Sequence, residues 1–96
     1  MELEIIWTTQ AKSALKLIFE FYKNKSLSGA KNVKNDILNS VKTIRFSEQF
    51  QVDNINNKYR RIVIRDYKVL YRNDNNRILI MDIISTKQSP SVLENL

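Results

Sequence analysis

The fold is decided by residues 59–72, which read YRRIVIRDYKVLYR. Two segments of this stretch, 59–64 and 67–72, are rich in β-branched and aromatic residues, and the dipeptide Arg65-Asp66 separates them. Two such segments around a tight polar connection are typical of a β-hairpin. We therefore predict a pair of adjacent antiparallel strands here.

The segments on either side of this hairpin extend the predicted sheet. Residues 73–76 are all Asn or Asp, which tolerate the positive φ angles of a turn. Residues 77–84 form the most apolar segment and are predicted to be the central strand. Before the hairpin, residues 50–53 are predicted to form a short or irregular edge strand, followed by an asparagine-rich turn.

The N-terminal half predicts one strand and two helices. Residues 2–7 begin with polar–apolar alternation and end in an apolar, β-prone trio, as expected for a short strand. Thr8 and Thr9 favour helix N-caps, and the apolar spacing that follows predicts a helix over residues 9–25. After a break at 26–29, which holds the only glycine, a second apolar stripe predicts a second helix. The apolar positions are Ala11, Leu15, Ile18, Phe19 and Tyr22 in the first helix and Ala30, Val33, Ile37, Val41 and Ile44 in the second.

This order of elements predicts a single α+β domain over residues 1–96: an N-terminal strand, an α-helical hairpin, then three or four antiparallel strands. Two helices joined by a few residues pack antiparallel. Helices followed by strands, rather than strict alternation, favour an antiparallel meander with the helices on one face. A chain of 96 residues is the size of one domain with one core. The segment after Ser85 is predicted to leave the sheet.

The composition excludes most familiar catalytic sites. The sequence contains no cysteine and no histidine, which excludes thiolate nucleophiles and Cys-ligated zinc and removes the commonest general base. Asp66, Asp74 and Asp82 are too isolated to suggest a metal site, so neither metal nor cofactor is predicted. No signal peptide and no membrane span are recognisable, which predicts a cytoplasmic protein without a membrane partner.

The basic charge predicts a macromolecular partner. A net charge of +6 favours a polyanion or an acidic protein over a small-molecule substrate. Residues 58–72 hold six basic residues and one acid, Asp66. Such a run is often only the solvated face of a sheet. Because side chains alternate along a strand, Arg60 and Arg61 are predicted to point to opposite faces, so these cations do not all share one site.

The aromatic residues among these charges have two interpretations. Tyr59, Tyr67 and Tyr71 could stack on the bases of a single-stranded nucleic acid. We favour Tyr67 and Tyr71 as core residues with the hydroxyl at the rim, because they share a face with Val69. Trp7 is interpreted as a packing anchor.

Four motifs lie along the chain: Ala11-x3-Leu15-x2-Ile18-x3-Tyr22, Ala30 near the start of the second helix, Tyr59-Arg60-Arg61-Ile62-x4-Tyr67-Lys68-Val69-Leu70-Tyr71-Arg72, and Ile80-x3-Ile84. With these motifs the sequence resembles, from residue 3 to about residue 90, the RelE/ParE superfamily of bacterial toxins from type II toxin–antitoxin pairs. The most specific part of the similarity lies on the predicted strand 67–72.

The RelE branch of this superfamily implies a ribosome-dependent mRNA endonuclease. In that branch the RNA 2′-hydroxyl attacks the phosphate, which needs a proton acceptor, a proton donor and cations around the phosphate. The positions that match the cationic catalytic site are Lys68, Arg60 or Arg61, and Lys87. The C-terminal Tyr or His that transfers protons in many members has no counterpart after Lys87.

The ParE branch implies the same fold without a nuclease site, a cognate antitoxin as partner, and DNA gyrase as target. The missing Tyr or His and the length of the two predicted helices favour this branch. The alternatives are the mRNA endonuclease, with the ribosome as target, and an inactive or decayed basic binding module. The residues predicted to contact the target are Arg60, Arg61, Lys68, Arg72 and Lys87.

Overall fold

The computed structural model describes residues 3–87, in which one strand and two helices precede three further strands. The α+β fold class and the order of elements are therefore confirmed. A short 3-10 helix, Ser47–Gln49, lies between the helices and the last three strands. The bounds are β1 Glu4–Trp7, α1 Thr9–Lys23, α2 Leu27–Lys42, β2 Arg60–Ile64, β3 Tyr67–Asp74 and β4 Arg77–Ser85.

The four strands form one mixed sheet in the order β1-β4-β3-β2. The β2–β3 hairpin is antiparallel, as predicted, with Ile62 opposite Val69, and β4 continues the meander along β3. β1 pairs with β4 in parallel, from Glu4 opposite Arg77 to Trp7 opposite Ile80. The central position predicted for residues 77–84 is confirmed, since β4 has a neighbour on both edges.

The predicted short or irregular edge strand over residues 50–53 is reduced to a single antiparallel bridge. Val52 pairs with Arg60 of the edge strand β2, and the chain then turns away from the sheet. The reason is the side chain of Asp53, whose Oδ2 accepts hydrogen bonds from the backbone N–H groups of Ile55 and Asn56. An aspartate bonded to the backbone two and three residues ahead stabilises a turn and ends strand pairing.

The break between the two helices is shorter than the sequence suggests. α1 ends at Lys23, and α2 begins at Leu27 directly after its N-cap, Ser26, whose hydroxyl accepts from the Gly29 N–H group at 3.1 Å. The glycine therefore lies within the first turn of α2 and does not interrupt the helix. A serine N-cap satisfies one of the backbone donors that a helix start leaves open, which explains the earlier start.

The core lies between the helical hairpin and one face of the sheet. It includes Ile37 from α2, Val69 and Tyr71 from β3, and Ile78 and Ile80 from β4, each with no exposed surface. Each large apolar side chain buried in this way stabilises the fold by about 1.5–3 kcal/mol. The prediction for Tyr71 is confirmed, because its ring is buried and its hydroxyl donates to the Ser47 carbonyl oxygen at 2.8 Å.

The start of α1 is fastened to the central strand. The hydroxyl of Thr8, the N-cap residue, accepts from the Ala11 N–H group and donates to the Ile80 carbonyl oxygen at 2.7 Å. Neither helix is long and apolar enough to span a bilayer, as far as residues 3–87 are concerned. The predicted departure of the tail from the sheet concerns residues 86–96. Residues 86 and 87 form a turn after the end of β4, and residues 88–96 lie outside the described residues.

Candidate functional site

Two of the predicted cationic residues meet on the sheet face that the helices leave open. Arg61 and Lys68 alternate with Ile62 and Val69, which belong to the core, so both point away from the helices. The segment that precedes β2 folds over this part of the face. We call it the covering loop, residues 50–59.

Asp53 of the covering loop lies between the two cations. Its side chain is fully buried, and its Oδ1 is 2.8 Å from Lys68 Nζ and 3.8 Å from Arg61 Nη1. Arg61 also donates from Nη1 to the Val52 carbonyl oxygen at 2.7 Å and from Nη2 to Gln51 Oε1. The carboxylate thus occupies the position that a bound phosphate oxygen would need between Lys68 and Arg61.

The ionisation of Asp53 is controlled by its neighbours. Burial alone would raise the pKa of this carboxyl group, but the hydrogen bond from Lys68 and those from the Asn56 and Ile55 N–H groups outweigh burial and hold the pKa below its ordinary value. Asp53 is therefore charged at neutral pH and forms an ion pair with Lys68.

This lowered pKa predicts a specific loss of stability in acid. An unfolded chain protonates Asp53 near its ordinary pKa of 3.8, whereas the folded chain does so only at lower pH. The contribution of Asp53 is therefore complete above the unfolded pKa and is lost as the pH falls through the folded pKa. We expect the free energy of unfolding, measured by urea titration between pH 7 and about pH 2, to decline more steeply in the native chain than in Asp53→Asn. Parallel pH curves for the two proteins would contradict this expectation.

The other three predicted residues lie elsewhere. Arg60 donates from Nη1 to the Phe50 carbonyl oxygen at 2.8 Å. Arg72 is exposed on β3. Lys87 Nζ is 3.3 Å from Asp66 Oδ2 in the β2–β3 turn, and both side chains are more than half exposed. The structure thus brings Arg61 and Lys68 together, while Arg60, Arg72 and Lys87 are dispersed, and the role of each as a target contact stays a prediction.

Groups that could transfer protons or bind a metal are scarce around this cluster. The buried Tyr71 hydroxyl already donates to a backbone carbonyl, and burial raises the pKa of this phenol. Asp66 pairs with Lys87 and Asp74 with Arg77. No group of three or more carboxylates that could hold a metal ion occurs within residues 3–87. The cluster therefore consists of two cations and one internal anion, with Lys68 bonded directly to that anion.

A second surface, which the sequence analysis missed, lies between α1 and the end of the sheet. We call it the α1–sheet groove; it is lined by Leu17, Ile18, Phe21, Tyr22, Tyr67 and Ile83. Leu17 is 71% exposed and Phe21 55%, both unusual for large apolar side chains. The Lys25 ammonium lies 4.7 Å from the centre of the Phe21 ring. The groove therefore combines an apolar wall with charged groups of both signs, which are Lys25, Lys87, Asp66 and Asp82.

One signal in the sequence points to this groove. Leu17 and Phe21 are four residues apart and so lie on the same face of α1. They do not belong to the stripe that packs in the core, which makes α1 apolar over a wider arc than one interface requires. The opposite wall comes from β3 and β4, and only the tertiary structure places it there.

The hydroxyl groups of Tyr22 and Tyr67 meet within the groove. The two oxygens are 3.4 Å apart, and burial together with this neighbour raises the pKa of Tyr67 far above its ordinary value. The Tyr67 phenol is therefore neutral under physiological conditions. The two hydroxyl groups supply polar contacts within the groove.

Comparison with known proteins connects these features to one family. The family described as ParE toxin of type II toxin-antitoxin system, parDE, matches residues 5–90. One solved structure, described as the chromosomal ParDE TA system from P. aeruginosa, has a chain similar to this one with a TM-score of 0.78 and 18% sequence identity. The similarity covers 88% of this chain and 97% of that chain, and it shows a shared fold. The search of curated proteins found no match.

Proposed function

Because the chain belongs to the ParE toxin family of type II toxin–antitoxin systems, we propose that it arrests growth in the cytoplasm by inhibiting DNA gyrase, without cleaving RNA. Its partner is the cognate antitoxin that such a system implies. We further propose that the antitoxin binds in the α1–sheet groove.

The observation that carries the non-enzymatic proposal is the position of Asp53. Cleavage of RNA needs cations that can approach the scissile phosphate and stabilise its developing charge. The Lys68 side chain is only 11% exposed and is bonded to a carboxylate that is itself fully buried. A phosphate would have to displace this internal anion, and the cluster has no free acid or base to complete the reaction. This arrangement supports a toxin that acts by binding.

The antitoxin proposal is supported by the α1–sheet groove. Exposed Leu17 and Phe21, four residues apart on α1, offer anchor contacts to an amphipathic or extended segment. Lys25 at the rim attracts acidic residues that flank such a segment, whereas Lys87 in the same lining is paired with Asp66. A segment that is disordered alone would lose about 2–5 kcal/mol in ordering when it binds, and the buried apolar contacts must exceed this cost.

Purified gyrase tests the proposed target directly. We expect the full chain, added in excess, to inhibit supercoiling of a relaxed plasmid and to leave broken DNA, and the antitoxin to reverse the inhibition. The same preparation, added to a translation extract, should leave the mRNA intact. The Asp53→Asn variant serves as a comparison, since it would uncover the cations if an RNA-cleaving site lay beneath the carboxylate.

Each result separates one class of function. Unchanged supercoiling at excess toxin would contradict the gyrase proposal. Cuts at codon positions in translated mRNA that disappear in Lys68→Ala/Lys87→Ala would indicate the endonuclease instead. A chain whose induction leaves DNA, RNA and protein synthesis unaffected would be an inactive binding module.

A further inference from the structure

The positive charge of this protein is concentrated on the helical hairpin. Residues 9–42 contain seven lysines and two acidic residues, a net charge of +5, whereas the rest of the chain holds nine cations and eight acids. The ion pairs found within residues 3–87 involve Arg61, Arg65, Lys68, Arg77 and Lys87, and none involves a hairpin lysine. The field around the protein therefore originates mainly from the helices, and the sheet contributes little.

Part of this charge surrounds a groove between the two helices. It is a cavity of about 330 Å³ on the flank of α1 opposite to the α1–sheet groove. Its floor is apolar, with Trp7, Leu15, Phe19 and Leu38, and Lys12 and Lys16 lie on one bank and Lys34 on the other. We call it the interhelical groove. The Lys34 ammonium lies 5.5 Å from the centre of the Phe19 ring, so the lysine leans over the floor.

The lysine rows extend beyond this cavity along both helices. Lys23 follows Lys16 by seven residues, and Lys31 and Lys42 flank Lys34 and Leu38 at spacings of three and four, which keeps each set on one helix face. At a rise of about 1.5 Å per residue, each row is about 16 Å long. Two packed helices lie about 8–10 Å apart, so the rows run side by side.

The two acids of the hairpin differ in their positions relative to these rows. Asp36 is engaged at 2.7 Å by Arg65 of the β2–β3 turn and, two residues after Lys34, does not share the face of the α2 row. Glu20 lies four residues after Lys16 and three before Lys23, so it belongs to the α1 row. The α1 row therefore carries three lysines and one carboxylate, and the α2 row carries three lysines.

We propose that the interhelical groove binds the phosphate backbone of duplex DNA. This inference rests on the proposed function in one respect only, because a toxin that acts on gyrase meets its target together with DNA. Duplex DNA presents two rows of phosphates, one on each side of its minor groove, and the lysines of the two helices can each contact one of these rows. Lysine binds phosphates as a mobile point charge and needs no fixed geometry. An acidic protein segment fits less well, since the lysine rows continue past the apolar floor that such a segment would fill.

Fluorescence anisotropy of a labelled 20-base-pair duplex, titrated with the full chain alone, tests this proposal. A protein that neutralises four to six phosphates shows a slope of about −4 to −5 in a plot of log affinity against log salt concentration. Trp7, the single tryptophan, lies in the groove and reports occupancy by a change in its emission. We expect Lys16→Glu/Lys34→Glu to weaken binding at least about tenfold and to reduce the salt slope by about 2.

The matched control is Arg45→Glu/Lys58→Glu, which changes the net charge equally at two exposed positions outside the hairpin. This control should keep most of the affinity and the emission change. Equal losses in both double variants would show attraction to overall charge and would overturn the proposal. It would also be overturned if poly-glutamate of equal charge displaced the duplex and alone changed the Trp7 emission, because the groove would then be specific for acidic protein segments. This assay contains no gyrase, so a negative result would overturn DNA binding by the interhelical groove without deciding the supercoiling experiment.

Discussion

Replacing Asp53 by alanine is expected to reduce the free energy of unfolding by about 3–5 kcal/mol, the usual cost of breaking a buried ion pair by removing one partner. The variant leaves the Lys68 ammonium buried without its counter-ion and leaves the N–H groups of Ile55 and Asn56 without their acceptor. Urea unfolding of the native chain and the variant at neutral pH measures the difference. A domain of this size is stable by only about 5–15 kcal/mol, so the variant should be markedly less stable.

Two further variants show whether the buried charge is the cause. Adding Lys68→Met to Asp53→Ala removes the unpaired ammonium and should restore part of the lost stability. Asp66→Ala removes an exposed ion pair with Lys87 and should change the free energy of unfolding by less than about 1 kcal/mol. Equal effects of Asp53→Ala and Asp66→Ala would show that the covering loop does not depend on its buried carboxylate.

The double variant Leu17→Ala/Phe21→Ala is expected to weaken antitoxin binding by about 100-fold, which corresponds to about 3 kcal/mol. Both side chains are mostly exposed in the free toxin, so their loss should alter its own stability very little. Titration of the purified antitoxin into each toxin by calorimetry measures the affinity. The same variant should still inhibit gyrase, but the antitoxin should no longer restore supercoiling at equimolar amounts.

Leu27→Ala is the matched control for this double variant. Leu27 is 50% exposed at the start of α2 and does not line the α1–sheet groove. Its replacement removes an exposed leucine of similar accessibility and should leave the antitoxin affinity unchanged. Full affinity of the Leu17→Ala/Phe21→Ala variant would exclude the α1–sheet groove as the main antitoxin surface.

Most of the fold follows from local patterns in the sequence. Apolar residues three and four apart predict the helices, and two β-prone segments around Arg65-Asp66 predict the β2–β3 hairpin. The parallel pairing of β1 with β4 does not follow in this way. It depends on how the helical hairpin crosses the sheet, and no short-range pattern of residues 2–7 records that path.

The candidate site was predictable only in part. Alternation along the strands correctly separates Arg60 from Arg61, and the hairpin register brings Arg61 and Lys68 near each other. The anion between them was not predictable, because Asp53 lies in a segment without helical or strand periodicity. It reaches Lys68 through a turn that its own side chain stabilises. A side chain that looks like one more acid in the sequence thus changes the chemistry of the whole cluster.

The pairing of β1 with β4 has a consequence for the time at which the sheet is completed during synthesis. Glu4 lies opposite Arg77 and Trp7 opposite Ile80, so β1 has no neighbouring strand until β4 is present. Closing so long a loop carries an entropic cost, and the favourable contacts between β1 and β4 form only after the loop has closed. In a growing chain on the ribosome, β1 therefore cannot complete its pairing before residues 77–80 have been made.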